Sequence, residues 1–280
     1  GLLILVFAVF LIFSAATTLK VKDEELMEVN GNSEIVPGMD STIKILTWNI
    51  GYGCLDEDAD FYMDGGTQVN GESKEKMLAN ISSITSKISE INPDIFFIQE
   101  IDFNSKRSFK TNQMDLFINT FKEDEYNNSY ALNFKAGFIP IPVTEPMGKV
   151  EAGISIFSKF KVNESKRIQL PIPFKWPISM LNLKRCLLVD RIKIDGSDKE
   201  LVLVNLHLEA YDDGSAKVLQ TEILLDVLKN EYENGNYVIA GGDFNQTFAS
   251  VSDIFPVSDT SLWAPGVVND DDFTDIGYTV

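Results

Sequence analysis

Apolar and polar positions alternate with different periods along the chain, and each period predicts a different element. Residues 42–50 alternate and are rich in β-branched side chains, which is typical of a strand. Residues 72–91 carry apolar side chains at three- and four-residue steps, which predicts an amphipathic helix. Asn92-Pro93 ends this helix, and the apolar run at residues 94–99 predicts a strand buried on both faces.

The remainder of the chain repeats these two patterns. Helical spacing recurs in residues 108–121 and 214–232. Short strand patterns occupy residues 129–134, 153–157, 167–170, 186–194, 201–207 and 237–240. Since the strands are many and the helices few, we predict an α/β fold in which two packed sheets carry helices on their outer faces.

The N-terminal segment differs, because it is almost wholly apolar as far as Phe13 and carries no charged side chain before Lys20. A helix of this kind has no polar face for water, so we expect residues 1–19 to be a signal peptide or a membrane anchor. A buried helix of the domain is the alternative. Residues 20–40 are acidic and contain Gly and Asn, which predicts a linker before a domain at residues 41–280, outside the cytoplasm.

Acidic side chains dominate the charge of the chain. There are 24 Lys and Arg against 42 Asp and Glu in 280 residues, a formal net charge of −18. This argues against a broad basic face for nucleic acid, because phosphate contacts supply most non-specific affinity. It does not exclude a small metal-filled cleft. The two cysteines, Cys54 and Cys186, permit at most one disulfide and therefore no disulfide scaffold.

Five polar side chains lie at or just after the ends of predicted strands. Strand ends are where α/β proteins place functional groups. The five side chains are Asn49, Glu100, His207, Asp243 and Asn245. Each of them alone is more simply explained as a solvated strand end or a structural residue. Their occurrence at the ends of four strands predicts one shared site.

The motifs around these residues resemble a known family. In chain order they read TWNIG, IQE, NLHLEA and GGDFNQ, and the resemblance to the endonuclease/exonuclease/phosphatase superfamily extends over residues 43–246. It implies a four-layered α/β/β/α sandwich, formed by two mixed sheets flanked by helices. It also implies hydrolysis of a phosphodiester or phosphomonoester with Mg²⁺ or Mn²⁺.

The resemblance further implies a role for each matching residue. Glu100 matches the metal-binding Glu, and Asn49 matches the Asn that helps to place the metal, its water shell and the substrate. Asp243 matches the group that orients or deprotonates the attacking water. Asn245 matches the amide that donates to the phosphate in the pentavalent state, where a neutral donor suits the charge. His207 matches a His that contacts the scissile phosphate.

Two basic residues are further candidates for phosphate binding. Lys135 and Arg185 each adjoin a predicted strand, and we expect both to contact the substrate. The family's last strand carries a Ser-Asp-His motif, whereas this chain has no second His. Ser258-Asp259-Thr260 is the nearest match. Because residues 267–280 have a strand-like pattern without a closing element, we expect the missing strand to follow residue 280, and the chain as written to be catalytically impaired.

The remaining features concern the substrate. His207-Leu208-Glu209-Ala210 is similar to the His-Leu-Gln-Ala of sphingomyelinase-like members, and the apolar segments 138–143 and 170–183 could contact lipid or pack on the sandwich. We predict a monomeric, secreted or membrane-anchored phosphoesterase that acts on a lipid or small organophosphate. An extracellular nuclease and a non-catalytic phosphate-binding protein are the alternatives. Asn245 begins an Asn-Gln-Thr sequon, and glycosylation there would block the site, which favours a bacterial source.

Overall fold

The computed structural model describes residues 1–123, 125–211, 214–254, 256 and 264–280, and of Asp64 it describes the backbone only. The helices are α1 (Leu2–Thr17), α2 (Lys74–Ile91), α3 (Gln113–Thr120), α4 (Ser215–Glu233) and α5 (Asp271–Thr274). The strands are β1 (Glu24–Leu26), β2 (Val29–Asn30), β3 (Ile45–Asn49), β4 (Ile95–Asp102), β5 (Asn127–Ile139), β6 (Gly148–Ser158), β7 (Glu164–Gln169), β8 (Cys186–Lys193), β9 (Glu200–His207), β10 (Tyr237–Asp243), β11 (Gln246–Phe248) and β12 (Gly266–Val268).

The strands form two mixed five-stranded sheets and one small pair. The first sheet has the order β2-β5-β6-β4-β3, the second has the order β1-β7-β8-β9-β10, and β11 pairs with β12. β3 runs parallel to β4, and β10 runs parallel to β9, while the other pairs in both sheets are antiparallel. Each sheet therefore presents the carboxyl ends of two parallel strands at one of its edges.

Strand β4 shows how the layers are built. Phe96 and Ile98 point to one face and pack with Ile81 and Ile88 of α2, whereas Ile95 and Phe97 point to the other face and pack against the second sheet. Alternate side chains of a strand face opposite sides, so a strand between two apolar layers must be apolar at every position. The uninterrupted apolar pattern of this strand therefore predicted its burial correctly.

The outer face of the second sheet is covered by α4. Leu224 and Leu228 of this helix pack with Val202 and Val204 of β9. The layers are thus helices α2 and α3, the first sheet, the second sheet, and α4. This arrangement confirms the predicted α/β/β/α sandwich.

Three predicted elements differ from the structure. The helix predicted from residue 108 begins at Gln113, because Phe109 and Lys110 have positive φ values of 57° and 55° that a helix cannot contain. The segment predicted as a linker contains the edge strands β1 and β2, which pair with β7 and β5. The strand-like C-terminal stretch forms only the three residues of β12 before the short helix α5.

Helix α1 is apolar on all sides, and Ser14 is its one buried residue. Among the helices that the structure describes, none combines the length and apolarity needed to cross a membrane.

Candidate active site

The five strand-end residues converge because the parallel strands of both sheets end at the same place. Asn49 ends β3, and Glu100 lies near the end of the neighbouring β4. In the second sheet His207 and Asp243 end β9 and β10 in register. The amide nitrogen of Asn49 lies 2.7 Å from Oδ2 of Asp243, so the ends of the two sheets meet across the sandwich.

Asn49 connects the two carboxylates of the cluster. Its Nδ2 donates to Oε1 of Glu100 at 3.0 Å and to Oδ2 of Asp243 at 2.7 Å. Its own Oδ1 accepts from the backbone N–H of Gly51 at 3.0 Å. The amide nitrogen, not the amide oxygen, therefore faces Glu100, and Asn49 sets the separation of the two carboxylates.

Glu100 is directed toward the cluster by an irregularity in its strand. The pairing of β4 with β6 shifts register between Gln99 and Ile101, and Glu100 at this bulge has a φ of 57°. A bulge re-aims one side chain, and a non-glycine residue at positive φ is an uncommon conformation that clusters at functional sites. Burial raises the pKa of the Glu100 carboxyl, and Arg107 and the Asn49 amide oppose this shift.

His207 is buried beside both carboxylates, with 4% of the residue exposed. Its Nε2 lies 3.6 Å from Oδ2 of Asp243 and 4.0 Å from Oε1 of Glu100. Its Nδ1 has no hydrogen-bond partner among the residues that the structure describes. Burial, with the positive charges of Arg185 and Arg107, holds the pKa of the imidazole well below its usual range, so this histidine is neutral at neutral pH.

Asn245 and Asp243 form a tight turn after β10. Asn245 has a φ of 51°, and its backbone N–H donates to Oδ1 of Asp243 at 2.9 Å. The side-chain Nδ2 of Asn245 donates to the carbonyl of Leu208 at 2.9 Å. The side-chain amide of Asn245 thus holds the residue that follows β9.

The two basic candidates have different environments. Arg185 is 3% exposed, its charge acts on Glu100 and His207, and its Nε and Nη1 have no hydrogen-bond partner among the described residues. Its ion-pair partner is Glu209, with Nε at 3.7 Å from Oε2. Lys135 pairs instead with Glu151 at 2.8 Å and lines a separate cleft, so the structure does not bring it into the cluster.

A buried ion pair below the cluster was missed by reasoning from the sequence. Asp102 accepts from Nη2 and Nε of Arg107 at 2.8 and 3.1 Å and from the Ser108 hydroxyl at 2.7 Å. The guanidinium of Arg107 also lies 3.8 Å from the ring centre of Tyr52, a cation–π contact. The signal was the sequence Asp102-Phe-Asn-Ser-Lys-Arg107, directly after the IQE motif.

A polar link between the sheets was also missed. Nε2 of Gln99 donates to Oδ1 of Asn205 at 2.7 Å, and Nδ2 of Asn205 donates to the carbonyls of Ser155 and Ile98 at 2.8 and 3.2 Å. Gln99 directly precedes Glu100 in the IQE motif, and Asn205 lies two residues before His207 in the NLHLEA motif. Their link aligns the two strand ends that carry the cluster.

The donor set of the cluster fits a magnesium ion. Mg²⁺ takes oxygen ligands and keeps several waters, so one or two carboxylates suffice to hold it. Glu100 and Asp243 converge here, and within the described part of the chain neither has a Lys or Arg within 4.0 Å. No group of three or more His, Cys, Asp or Glu that could hold a metal occurs among those same residues. A cation at this place would compensate two carboxylate charges that have no direct ion pair with a Lys or Arg of the described residues.

Ser258-Asp259-Thr260, the nearest match to the family's last motif, lies outside the residues that the structure describes.

The Endonuclease/Exonuclease/phosphatase family matches residues 46–277. The solved structure of ANGEL2, a 2′,3′-cyclic phosphatase, is 15% identical, covers 80% of this chain and 56% of its own, and has a TM-score of 0.50. The human Nocturnin catalytic domain with bound sulfate anion is 18% identical, with coverages of 79% and 68% and a TM-score of 0.48. A humanized D. rerio TDP2 is 17% identical, with coverages of 76% and 70% and a TM-score of 0.43. No curated protein matches the chain.

Proposed function

The chain belongs to the endonuclease/exonuclease/phosphatase family, and on this premise we propose that it is a Mg²⁺- or Mn²⁺-dependent hydrolase of phosphoesters. The reaction is attack of water on a phosphodiester or phosphomonoester. The observation that carries the proposal is the convergence of Glu100, Asp243 and His207 around the amide of Asn49, at the meeting point of the two sheets.

Glu100 holds the metal in this proposal, and Asn49 holds Glu100 and Asp243 at a set separation. When bound, the ion polarises a phosphoryl oxygen and neutralises the charge that develops in the transition state. Asp243 orients the attacking water and accepts its proton, which is the work of a general base.

The neighbouring donors bind the phosphate. His207 is neutral, so it contacts a phosphate oxygen as an N–H donor and adds no positive charge to the site. The Nε–H and Nη1–H of Arg185, which have no hydrogen-bond partner among the described residues, and the second amide hydrogen of Asn245 are further donors. Donors of this kind stabilise developing negative charge because they are already oriented before the reaction.

The net charge of −18 favours small or lipid phosphoesters over long polyanions as substrates. A metal site attracts one phosphate locally, whereas nucleic acid presents a row of phosphates to the whole acidic surface.

The proposal is tested with bis(p-nitrophenyl) phosphate and p-nitrophenyl phosphate. With the full-length protein we expect hydrolysis that EDTA abolishes and that added Mg²⁺ or Mn²⁺ restores. Glu100→Gln should lower kcat/KM by about 100-fold or more, on the scale of losing one group that stabilises transition-state charge. Glu90→Gln, an exposed residue of α2 that pairs with Lys87, is the matched control and should leave kcat/KM unchanged.

If neither Mg²⁺ nor Mn²⁺ gives hydrolysis, the proposal that the protein is an enzyme is contradicted. Binding of inorganic phosphate without turnover would then support a phosphate-binding protein. Efficient cleavage of plasmid DNA at physiological salt would point to a nuclease instead. Activity retained in Glu100→Gln would remove Glu100 from the metal site.

A further inference from the structure

A group of exposed apolar side chains lies at the end of the sandwich that carries the active-site candidates. Its members belong to three segments, namely α1, the β5–β6 connection at residues 140–147, and the β7–β8 connection at residues 170–185, while other exposed apolar side chains, such as Ile35 and Val36, are spread over the rest of the surface. We call these three segments together the apolar end surface. In a chain with a net charge of −18, exposed apolar side chains gathered on one side are typical of a surface that binds another molecule.

Strand direction places the two connections at that end. β6 is antiparallel to β4 and β5 is antiparallel to β6, so the β5–β6 connection lies where β4 ends. By the same reasoning, the β7–β8 connection lies where β9 ends, because β8 is antiparallel to β9 and β7 to β8. The contact between Asn49 and Asp243 shows that the two strand ends are on the same side of the molecule.

The C-terminal end of α1 is attached to both of these neighbourhoods. The hydroxyl of Thr17 accepts from the backbone N–H of Gly137 at 3.2 Å, and the N–H of Leu19 donates to the carbonyl of Lys135 at 3.1 Å. Nζ of Lys184 donates to the Thr18 hydroxyl at 2.7 Å. The C-terminal end of α1 therefore contacts both the end of β5, from which the β5–β6 connection leaves, and the β7–β8 connection, so the three segments lie on one side of the molecule.

The side chains of this surface suit a medium that is apolar on all sides. Leu3 is 85% exposed, and most other apolar residues of α1 are exposed, while Phe10 and Leu11 are half-buried. The exposed residues cover more than one face of the helix, so a protein groove, which covers one face, would leave the rest in water. Val143 and Trp176 at the tips of the two connections are 85% and 69% exposed. Trp is typical of the interface between lipid headgroups and acyl chains.

A cleft of about 640 Å³ lies at the C-terminal end of α1, next to the exposed apolar segments. Three lysines line it, Lys20, Lys135 and Lys149, against the single acidic residue Glu151. Lysine stems cover apolar surface while their ammonium groups stay at the level of lipid headgroups. The apolar segments thus project from a locally basic base in an otherwise acidic protein.

We propose that the apolar end surface binds a lipid bilayer, with α1 and the tips of the two connections among the acyl chains and the cleft lysines at the headgroups. The strand ends with Glu100 and Asp243 then face the membrane side of the protein. The second part of the inference rests on the proposed function, since it makes the substrate a phosphoester carried by a membrane lipid.

Vesicle flotation of the full chain tests the binding, with vesicles of phosphatidylcholine alone and of phosphatidylcholine with 30% phosphatidylglycerol as probes. We expect the protein to float with both and more completely with the anionic vesicles. Ile141→Ser with Val143→Ser, and separately Trp176→Ser, should lower the bound fraction at least threefold. These variants leave α1 intact, so they test the connections independently of it.

The matched control is Ile35→Ser with Val36→Ser. These exposed aliphatic residues lie at the opposite end, where the Ile35 carbonyl accepts from Lys161 just beyond the end of β6, and the bound fraction of this variant should equal that of the wild type. Wild-type protein that remains in the aqueous fraction with both vesicles would overturn the proposal. Loop variants that float like the wild type would also overturn it.

Hydrolysis separates this inference from the proposed function. The ratio of phosphate ester cleavage in the same vesicles to cleavage of soluble bis(p-nitrophenyl) phosphate should fall in the loop variants and not in the control. If neither substrate is cleaved while the vesicles bind, the proposed function fails and the docking surface stands. If the soluble substrate is cleaved and the ratio does not change, the membrane substrate is refuted.

Discussion

Glu100 and Asp102 lie two residues apart on β4, and the surroundings of their carboxylates are opposite in character. Asp102 is fully buried and accepts two hydrogen bonds from Arg107 and one from Ser108. Glu100 is partly exposed and accepts from the neutral amide of Asn49, which also binds Asp243. One carboxylate has its counter-charge inside the protein, whereas the other shares its surroundings with a second carboxylate.

This difference separates a structural carboxylate from one that is available to a ligand. A buried charge is tolerated when it is paired and fully hydrogen-bonded, and that condition leaves nothing for an external cation. The surroundings of Glu100 and Asp243 instead favour a cation that the protein itself does not supply. The same strand therefore serves stability at one position and, in our proposal, metal binding two residues earlier.

The largest expected effect is on the structural side of this comparison. Arg107→Ala leaves the charge of Asp102 buried without a partner, so the free energy of unfolding should fall by about 3–5 kcal/mol. Urea denaturation followed by circular dichroism measures it. Lys87→Ala, in an exposed pair with Glu90, is the control and should change stability by less than about 0.5 kcal/mol. A loss below about 1 kcal/mol for Arg107→Ala would show that the Asp102–Arg107 pair does not stabilise the fold.

Asp190 extends the comparison to a buried carboxylate that has no ion pair with a Lys or Arg of the described residues and lies outside the site. The Ser129 hydroxyl donates to it, and burial raises its pKa to about 7. Because this pKa lies above the ordinary value near 4, the folded state holds more protons between about pH 4 and pH 7. The contribution of Asp190 to stability is therefore present at low pH and is lost as the pH rises through this window.

Asp190→Asn removes this titration. The variant should be close to the wild type at pH 4.5 and more stable at pH 8, by an amount on the order of 2–4 kcal/mol if the whole shift is expressed. Urea unfolding of both proteins at the two pH values measures the difference. An equal difference at both pH values would show that Asp190 does not titrate with folding.

The smallest effect concerns Glu100 itself. Burial raises the pKa of its carboxyl and Asp243 adds to this, so in metal-free protein the neutral Glu100→Gln variant should be more stable, by about 1 kcal/mol or less. Thermal unfolding in EDTA measures this change. The matched comparison is Glu151→Gln, since Lys135 and Lys149 outweigh partial burial and hold the pKa of Glu151 below its usual range. Glu151→Gln should therefore not stabilise, and stabilisation of similar size in both variants would erase the distinction.

Much of the fold was predictable because local pattern and burial agree. The apolar run of β4 and the helical spacing of α2 were read correctly, since their apolar positions repeat with the period of the element. The start of α3 was not, because the positive φ values of Phe109 and Lys110 depend on the turn that positions Arg107. The edge strands β1 and β2 were also missed. They have three and two residues, which is too short for a strand period to be detectable.

The sequence predicted which residues form the candidate site better than it predicted how their side chains are arranged. The motifs indicated Asn49, Glu100, His207, Asp243 and Asn245, and the structure brings all five together. Lys135 adjoined a strand as Arg185 did, yet it pairs with Glu151 beside α1. Adjacency to a strand does not say to which side of the sheet a side chain is directed.

The sequence by itself determined the family, most of the succession of strands and helices, and the residue types at the strand ends, because periodicity and motifs are properties of the chain itself. Only the tertiary structure decided which charges meet. It paired Asp102 with Arg107, left Glu100 beside Asp243, and gathered α1 and two distant connections at the same end of the sandwich. The physical reason is that electrostatic and hydrophobic effects depend on distance and burial in space. Strand order and direction, not separation along the chain, set both quantities here.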